Sequence, residues 1–484
     1  MARFLAAFSL CAAAAAASSA AAAAPPAALL APAFATLPLG AVTATGWLRD
    51  ELETQANGLT GFLPYFWGDI ETSSWVGGGS DGGLHERTPY WLNGLVPLSY
   101  LTTSNANLSS LRTSYLGYIM QHQAASGWIG LDDMPNDGNQ YWGRFNIILS
   151  LEQYYEASGD AAAITCIFNY LGEAQRRMTK GPALGGWAQA RGQDFIMGIF
   201  WLVDNYATLQ GIPAGALTVD GLLALADLAH DQMALPTGNT GGDWKSWFNT
   251  DEFPTTAACD GTGTPCNMLT HGVNIGQAIK SEAVWFRRSH DYSDADSTFI
   301  RMRKLDAYHG VPSGMFQADE HLAGLMPSHG TETCAVVEAV ISYAVSGAIL
   351  GDASLLERAE RILYNAMPAS MTKSMWERVY LQQSNEIKAV VENPHVFFTD
   401  GDDSATFSLE GVITSSCAST RDSAACAACA ACAACAACAA CAACLRRRCF
   451  PHLASPLVLP PPFPFLLPPS ELRVLHRKHA RRLA

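Results

Sequence analysis

Basic residues are scarce in this chain of 484 residues, which carries 30 Lys and Arg against 44 Asp and Glu. The imbalance is sharper in the body, where residues 1–410 hold 21 basic and 42 acidic side chains, while residues 411–484 hold 9 and 2. An acidic body lacks the electrostatic footprint of a nucleic-acid binder. Beyond the first two dozen residues no apolar run reaches the ~20 residues that a membrane helix needs. Clean apolar/polar alternation is also scarce, which argues against an all-β chain. Of 14 cysteines, Cys11 lies in the leader and nine, Cys417 to Cys449, lie in the last 74 residues. The body keeps Cys166, Cys259, Cys266 and Cys334. Cys259 and Cys266 bracket a DGTGTP loop and suit a small disulfide in an oxidising compartment. Cys166, on an apolar helical stretch, reads as a buried small hydrophobe.

What is present begins with MARFLAAFSLCAAAAAASSAAAAAPPA. Arg3, an apolar run and small residues match a secretory signal peptide over 1–24, with an Ala/Ser-rich plastid transit peptide as the alternative. A Pro/Ala spacer over 25–40 follows. The triplet Asn107-Leu108-Ser109 is an N-glycosylation acceptor pattern.

From 41 to 410 the apolar residues recur at helical spacing over 90–103, 108–123, 145–157, 161–173, 194–208, 216–231, 273–288, 334–349 and 354–365. The breaks share one form, as in YYEASGDAAA (154–163), RRSHDYSDAD (287–296) and SGAILGDASLLERA (346–359). Each ends one helix, turns on Gly/Asp or His/Asp, and opens the next with small residues. Repeated helical hairpins predict an all-α toroid or solenoid, and a toroid has an axial funnel where loops gather. Three loops, 75–95, 127–145 and 181–195, combine Trp or Tyr with Asp, Arg and Gly. They either plug the surface or line a pocket for a flat-faced ligand such as a sugar. Gln382, Gln383, Asn385 and Glu386 read as a polar pocket wall.

The densest chemistry lies in 310–338, GVPSGMFQADEHLAGLMPSHGTETCAVVE. Asp319, Glu320, His321 and His329 sit among Gly and Pro. Thr331 is placed to cap a helix opening at Glu332, where the dipole favours an anion and lowers the pKa of the Cys334 thiol. Glu332 and Cys334 at one helix start are candidate zinc ligands, with Glu338 one turn on. Glu320, shielded by Phe316 and Leu322, has the setting of a raised-pKa general acid.

After residue 410 a strict Cys-Ala-Ala repeat and Arg, Pro and Leu runs replace the helical pattern. A three-residue period faces neither helix nor strand, so 411–484 specifies no packed core. It reads as repetitive or intronic DNA translated past a missed exon end, Gly411-Val412 being what a splice-donor GGT gives; a metal-binding cysteine tract is the other reading.

The segments SGMFQADEHLAG, PSHGTETCAVVEA, AERILYNAM and YLQQSNEI, together with HGVNIGQAIK at 271–280, resemble the catalytic domain of glycoside hydrolase family 127, the β-L-arabinofuranosidase-like family. The resemblance covers roughly 40–410. It implies an (α/α)6 barrel followed by β-sandwich domains, and retaining hydrolysis by a zinc-bound cysteine. Carried over, Glu332 and Cys334 become zinc ligands, Glu320 the acid/base, and His271 and Glu360 substrate contacts. The family's Cys-Cys segment, which supplies the last ligand and the nucleophile, is not matched here, and neither are its β domains; Cys417 stands alone in another context. The expectation is therefore a secreted zinc glycosidase on arabinose-containing glycans, written as a truncated gene model. The alternatives are an inactive carbohydrate-binding barrel and, last, a sugar epimerase.

Overall fold

Five helical hairpins follow one another around a ring. The computed structural model describes residues 28–408 apart from 81–84, 103, 131–139, 235–242, 262–265, 392 and 399–400. The leader, the tail and Cys417 lie outside the described residues. A first helix, α1 (Trp47–Ala56), precedes the pairs α2 (Arg87–Leu101) with α3 (Ala106–Gln121), α4 (Gln140–Ser158) with α5 (Ala161–Met178), and α6 (Gln193–Asn205) with α7 (Val219–Met233). The short α8 (Gly272–Ala278) leads into α9 (Ser281–Ser289), which pairs with α10 (Tyr292–His309); α11 (Thr333–Leu350) pairs with α12 (Ala353–Leu363). Helices α2, α4, α6, α9 and α11 pack on one another in that order as an inner ring, and each carries its partner outside. α1 packs on α2, and the stretch after it meets the far end of the chain through Leu59 N–H to the Met375 carbonyl and Phe62 against Trp376. These contacts fill the sixth sector of an all-α barrel of the (α/α)6 kind.

The two rings obey different sequence rules. Inner helices are buried nearly all round: α2 buries every residue from Thr88 to Ser99, and α11 is mostly apolar because neighbours cover each face. α11 alone among the described helices has the length and apolarity of a membrane span, and it is mostly buried in the bundle. Outer helices begin at side-chain caps: Asn105, Asp160, Thr218, Asp291 and Asp352 each accept a backbone N–H from the first turn. Three of them, Asp160, Asp291 and Asp352, are the Asp-bearing turns of the sequence, and each cap satisfies a donor that the helix cannot. The starts of α2, α6, α9 and α11 have no side-chain cap.

Several expectations change. The stretch 273–288 is two helices, broken at Ile279–Lys280. Helix α10 had no apolar signature because its inward face is Ser297, Thr298 and Arg301. The spacer over 25–40 is no free linker where it is described: Leu30, Ala33 and Phe34 donate backbone N–H groups to the carbonyls of Arg287, Ile349 and Ala348. The stretch crosses the C-terminal ends of α9 and α11, and its Pro32, Phe34 and Thr36 wall a cavity of about 320 Å³ on the barrel axis. Asn107 is no free glycosylation acceptor, since its amide donates to the Gly61 carbonyl at 2.9 Å. Trp91, Trp128 and Trp142 of the aromatic loops are fully buried, with Arg144 and Arg177 stacked on Trp128, so most of these rings plug the core.

A small sheet interrupts the helices. Its order is β2 (His321–Leu322), β1 (Ala318–Asp319), β3 (Gly330–Glu332), β4 (Leu381–Gln383), with β1 parallel to β3 and the other pairs antiparallel. His271 bridges to His321 and so extends the sheet toward α8. Gly272 has to be glycine, because a Cβ there would lie 2.5 Å from that of Ala318. Gln382 and Gln383 are braces rather than a pocket wall: their amides donate to the Ala366 and Ser328 carbonyls.

Candidate active site

The sheet sits at the N-terminal ends of the inner helices, and Glu320 is its most constrained residue. Asp319 pairs with His321, which leaves Glu320 alone at the hairpin turn with φ +70°, a left-handed conformation unusual for a side chain of its size. Backbone pairing holds it there: Gly272 N–H donates to the Glu320 carbonyl at 2.9 Å.

The carboxylate is gripped from both sides. His271 Nε2 lies 3.2 Å from Oε1, and the Tyr380 hydroxyl donates to Oε2. His271 caps α8, its Nδ1 accepting from Asn274 N–H at 3.5 Å. A nitrogen that accepts carries no proton, so Nε2 holds the hydrogen and donates it to Glu320. Burial pushes the Glu320 carboxyl upward, but the hydrogen bonds from His271 and Tyr380 override it and hold it below the usual carboxylate range. The raised-pKa acid expected from Phe316 and Leu322 is thus overturned, because two donors outweigh the apolar surround. Tyr380 is fixed in turn by α11, whose first residue Thr333 donates N–H to its carbonyl at 3.0 Å.

The other candidates separate. Glu332 is fully buried and ends β3, in the N-cap position of α11. The helix therefore opens one residue later than expected, and Thr331 belongs to the strand. Glu332, Glu320 and His271 each place a ligand atom within 4.8 Å of the other two. Cys334, the second residue of α11, is fully buried and belongs to neither three-ligand group found among the described residues. Glu338 faces the Lys280 ammonium at 4.0 Å. Asp319 and His329 pair with each other at 2.8 Å, under the Phe398 ring. Glu360 is exposed on α12, whose buried side is Leu355, Leu356, Ala359, Ile362 and Leu363. An outer-ring solvent face is no place for a substrate contact, so that assignment fails.

Residues not singled out in the sequence complete the floor. Trp187 meets His271 edge-on at 5.0 Å. Arg191 donates to Asn274 Oδ1 at 2.8 Å and to the Tyr90 hydroxyl at 3.1 Å, between the Trp142 and Trp187 rings. These contacts lock the α8 cap that orients His271. Tyr380 opened the YLQQ segment, but the glutamines drew the eye; a Tyr has no distinguishing pattern until its partner is known.

No family sequence model matches this chain, and no curated protein sequence does. Solved structures do. A glycoside hydrolase superimposes with TM-score 0.55 at 13% identity, over 84% of this chain and 61% of that one. A GH127 β-arabinofuranosidase superimposes with TM-score 0.51 at 14% identity, over 72% and 57%. The fold is GH127-like. This chain spans about three fifths of the length of those two structures, and at such identities the likeness is one of fold.

His271, Glu320 and Glu332 fit a zinc ion in kind, since imidazole and carboxylate are ordinary ligands, while Cys334 stands outside that group. They also fit in spacing, for His271, Glu320 and Glu332 already converge.

Proposed function

We propose that this chain is a glycoside hydrolase acting on furanosides of the β-L-arabinofuranoside type, with Glu320 as its proton-transfer residue. The observation that carries this reading is the Glu320 carboxylate, held on both oxygens at the mouth of a glycosidase-like barrel. A positioned carboxylate that meets a glycosidic oxygen or an attacking water is what general acid–base catalysis needs. Protonated from water, Glu320 gives its proton to the departing oxygen as the acid; as the carboxylate it then takes one from the attacking water as the base. Tyr380 keeps its direction in both states, and the half-buried Trp187 offers an aromatic face to a sugar ring. Glu332 and Cys334, from one strand–helix junction, would hold zinc. When bound, the ion supplies positive charge that keeps a thiol ionised and fixes its direction. The Cys259–Cys266 disulfide supports the secretory reading of the leader.

A second reading follows from the closeness of Glu332 to Glu320. Retaining glycosidases hold two carboxyl groups about 5–5.5 Å apart, one as acid/base and one as nucleophile. Glu332 then attacks the anomeric carbon directly, without a metal. The full chain with an aryl β-L-arabinofuranoside tests both readings. Turnover that falls by about 10²–10⁴ in Glu320→Gln at little-changed KM supports the proposal. Loss of turnover to a chelator favours the zinc arrangement, and indifference to it favours Glu332. Binding of arabinan without any turnover would sink both and leave a carbohydrate-binding barrel.

A further inference from the structure

A second cluster of ligands stands on the other side of the same hairpin. Cys259, Cys266 and His321 each bring a ligand atom within 4.8 Å of the other two. None of them is the His271 or Tyr380 that hydrogen-bonds the Glu320 carboxylate. The two cysteines are joined as a disulfide, with Cα atoms 5.2 Å apart.

Backbone pairing brings these residues together from both sides. Leu322, next to His321, accepts from Ala258 N–H at 2.7 Å and donates to the Thr270 carbonyl at 3.0 Å. The segment carrying the cysteines is therefore pinned at both ends to Leu322 of strand β2, next to His321. Cys259 itself takes φ +67°, a conformation its side chain disfavours.

The ring of His321 is also set. The Thr270 hydroxyl lies 3.0 Å from His321 Nδ1 and also reaches the Asn267 carbonyl at 3.2 Å. With Nδ1 engaged there, Nε2 is the nitrogen that can turn to a metal. A histidine whose far nitrogen is held by a polar partner is the usual arrangement of a metal-ligating imidazole.

We propose that Cys259, Cys266 and His321 form a thiol-gated zinc site, bound as dithiolate plus imidazole when reduced and closed as a disulfide when oxidised. Two sulfurs and one nitrogen leave a fourth tetrahedral position for water. Release is a two-electron step. A low-molecular-weight disulfide takes both electrons of the zinc dithiolate; the Cys259–Cys266 bond forms as the small disulfide bond breaks. Two protons from solvent convert the small thiolates to thiols, and Zn²⁺ leaves. A metal on His321 also braces the residue next to Glu320, so the gate sits against the catalytic hairpin without supplying any of its groups.

The test uses the full chain, reduced, with site-resolved alkylation read by peptide mass spectrometry, so that the tail cysteines and Cys334 do not enter the signal. Added zinc should block alkylation of Cys259 and Cys266, and glutathione disulfide should release the metal as those two thiols vanish. Thr270→Val, which leaves all three ligands in place, should raise the zinc needed for half protection by about 10–100-fold. His321→Ala should abolish protection, with a thermal melt to confirm folding. Protection must survive in Cys334→Ser; its loss there would place the zinc at the Glu332 site and overturn this proposal while leaving the glycosidase reading intact. Alkylation indifferent to zinc, or protection undiminished in His321→Ala, would overturn it outright.

Discussion

His309 shows how one buried side chain couples folding to pH. It lies at the end of α10, fully buried, with Nε2 donating to the Pro254 carbonyl at 2.8 Å and Nδ1 accepting from Gly324 N–H at 3.0 Å. Both nitrogens are satisfied only in the neutral ring, and burial lowers the pKa to about 4. A folded value below the unfolded 6.5 means that acid favours unfolding: the contribution is whole above 6.5 and is lost as pH falls toward 4. The loss is on the order of 3 kcal/mol by the pKa difference. Denaturant melts at pH 7 and pH 4.5 should show this drop, and His309→Gln should be weaker at pH 7 yet lose less between the two. At this scale the sequence was half legible. Glu320 and Glu332 stood out because carboxylates in a Gly/Pro-rich loop are conspicuous. The direction of the Glu320 shift was not legible, since it depends on Tyr380, sixty residues away, and on the tautomer that Asn274 imposes on His271. Glu360 failed because a polar residue on an amphipathic helix is ordinarily a solvent face.

At the scale of elements, apolar periodicity found the inner helices and missed α10, whose core is ionic. Arg301 on α10 is fully buried; it donates to Ser281 Oγ at 2.9 Å and to the Ala278 carbonyl, and pairs with Glu282. It thereby stitches α10 to the break between α8 and α9. Removing one partner of a buried pair strands the other, so Arg301→Ala is expected to cost about 3–5 kcal/mol in urea unfolding, and Arg301→Lys to recover only part. The caps behave otherwise. Asp352→Ala should cost about 1 kcal/mol, because it frees exposed first-turn donors to water. The sheet escaped notice because strands of two or three residues are too short for alternation to register.

For the whole molecule, the barrel was legible from repeated hairpin punctuation, but closure of its rear was not, since a Pro/Ala stretch has no visible partner in sequence. Behind that closure Glu152 lines the axial cavity, fully buried, and burial raises its pKa well above the usual value. A carboxyl with a raised folded pKa favours the fold below about 4.5 and penalises it as pH climbs. Glu152→Gln should therefore stabilise the chain at neutral pH, by up to roughly 1.4 kcal/mol for each pH unit above 4.5 until the folded value is reached. Melting temperatures that match wild type at every pH would show that the cavity keeps Glu152 solvated. With His309 weakening the fold in acid and Glu152 weakening it in base, greatest stability should fall between them.

The inner helices all run the same way along the bore. Each peptide dipole points its positive end toward the mouth, and the starts of α2, α6, α9 and α11 carry no side-chain cap to mask it. The barrel is in this sense an electrical funnel, its positive helix ends gathered at the opening where Glu320 and Glu332 stand. Negative charge that develops on a departing alkoxide at the mouth is met by those ends, so the ring favours bond breaking at one rim and not at the other.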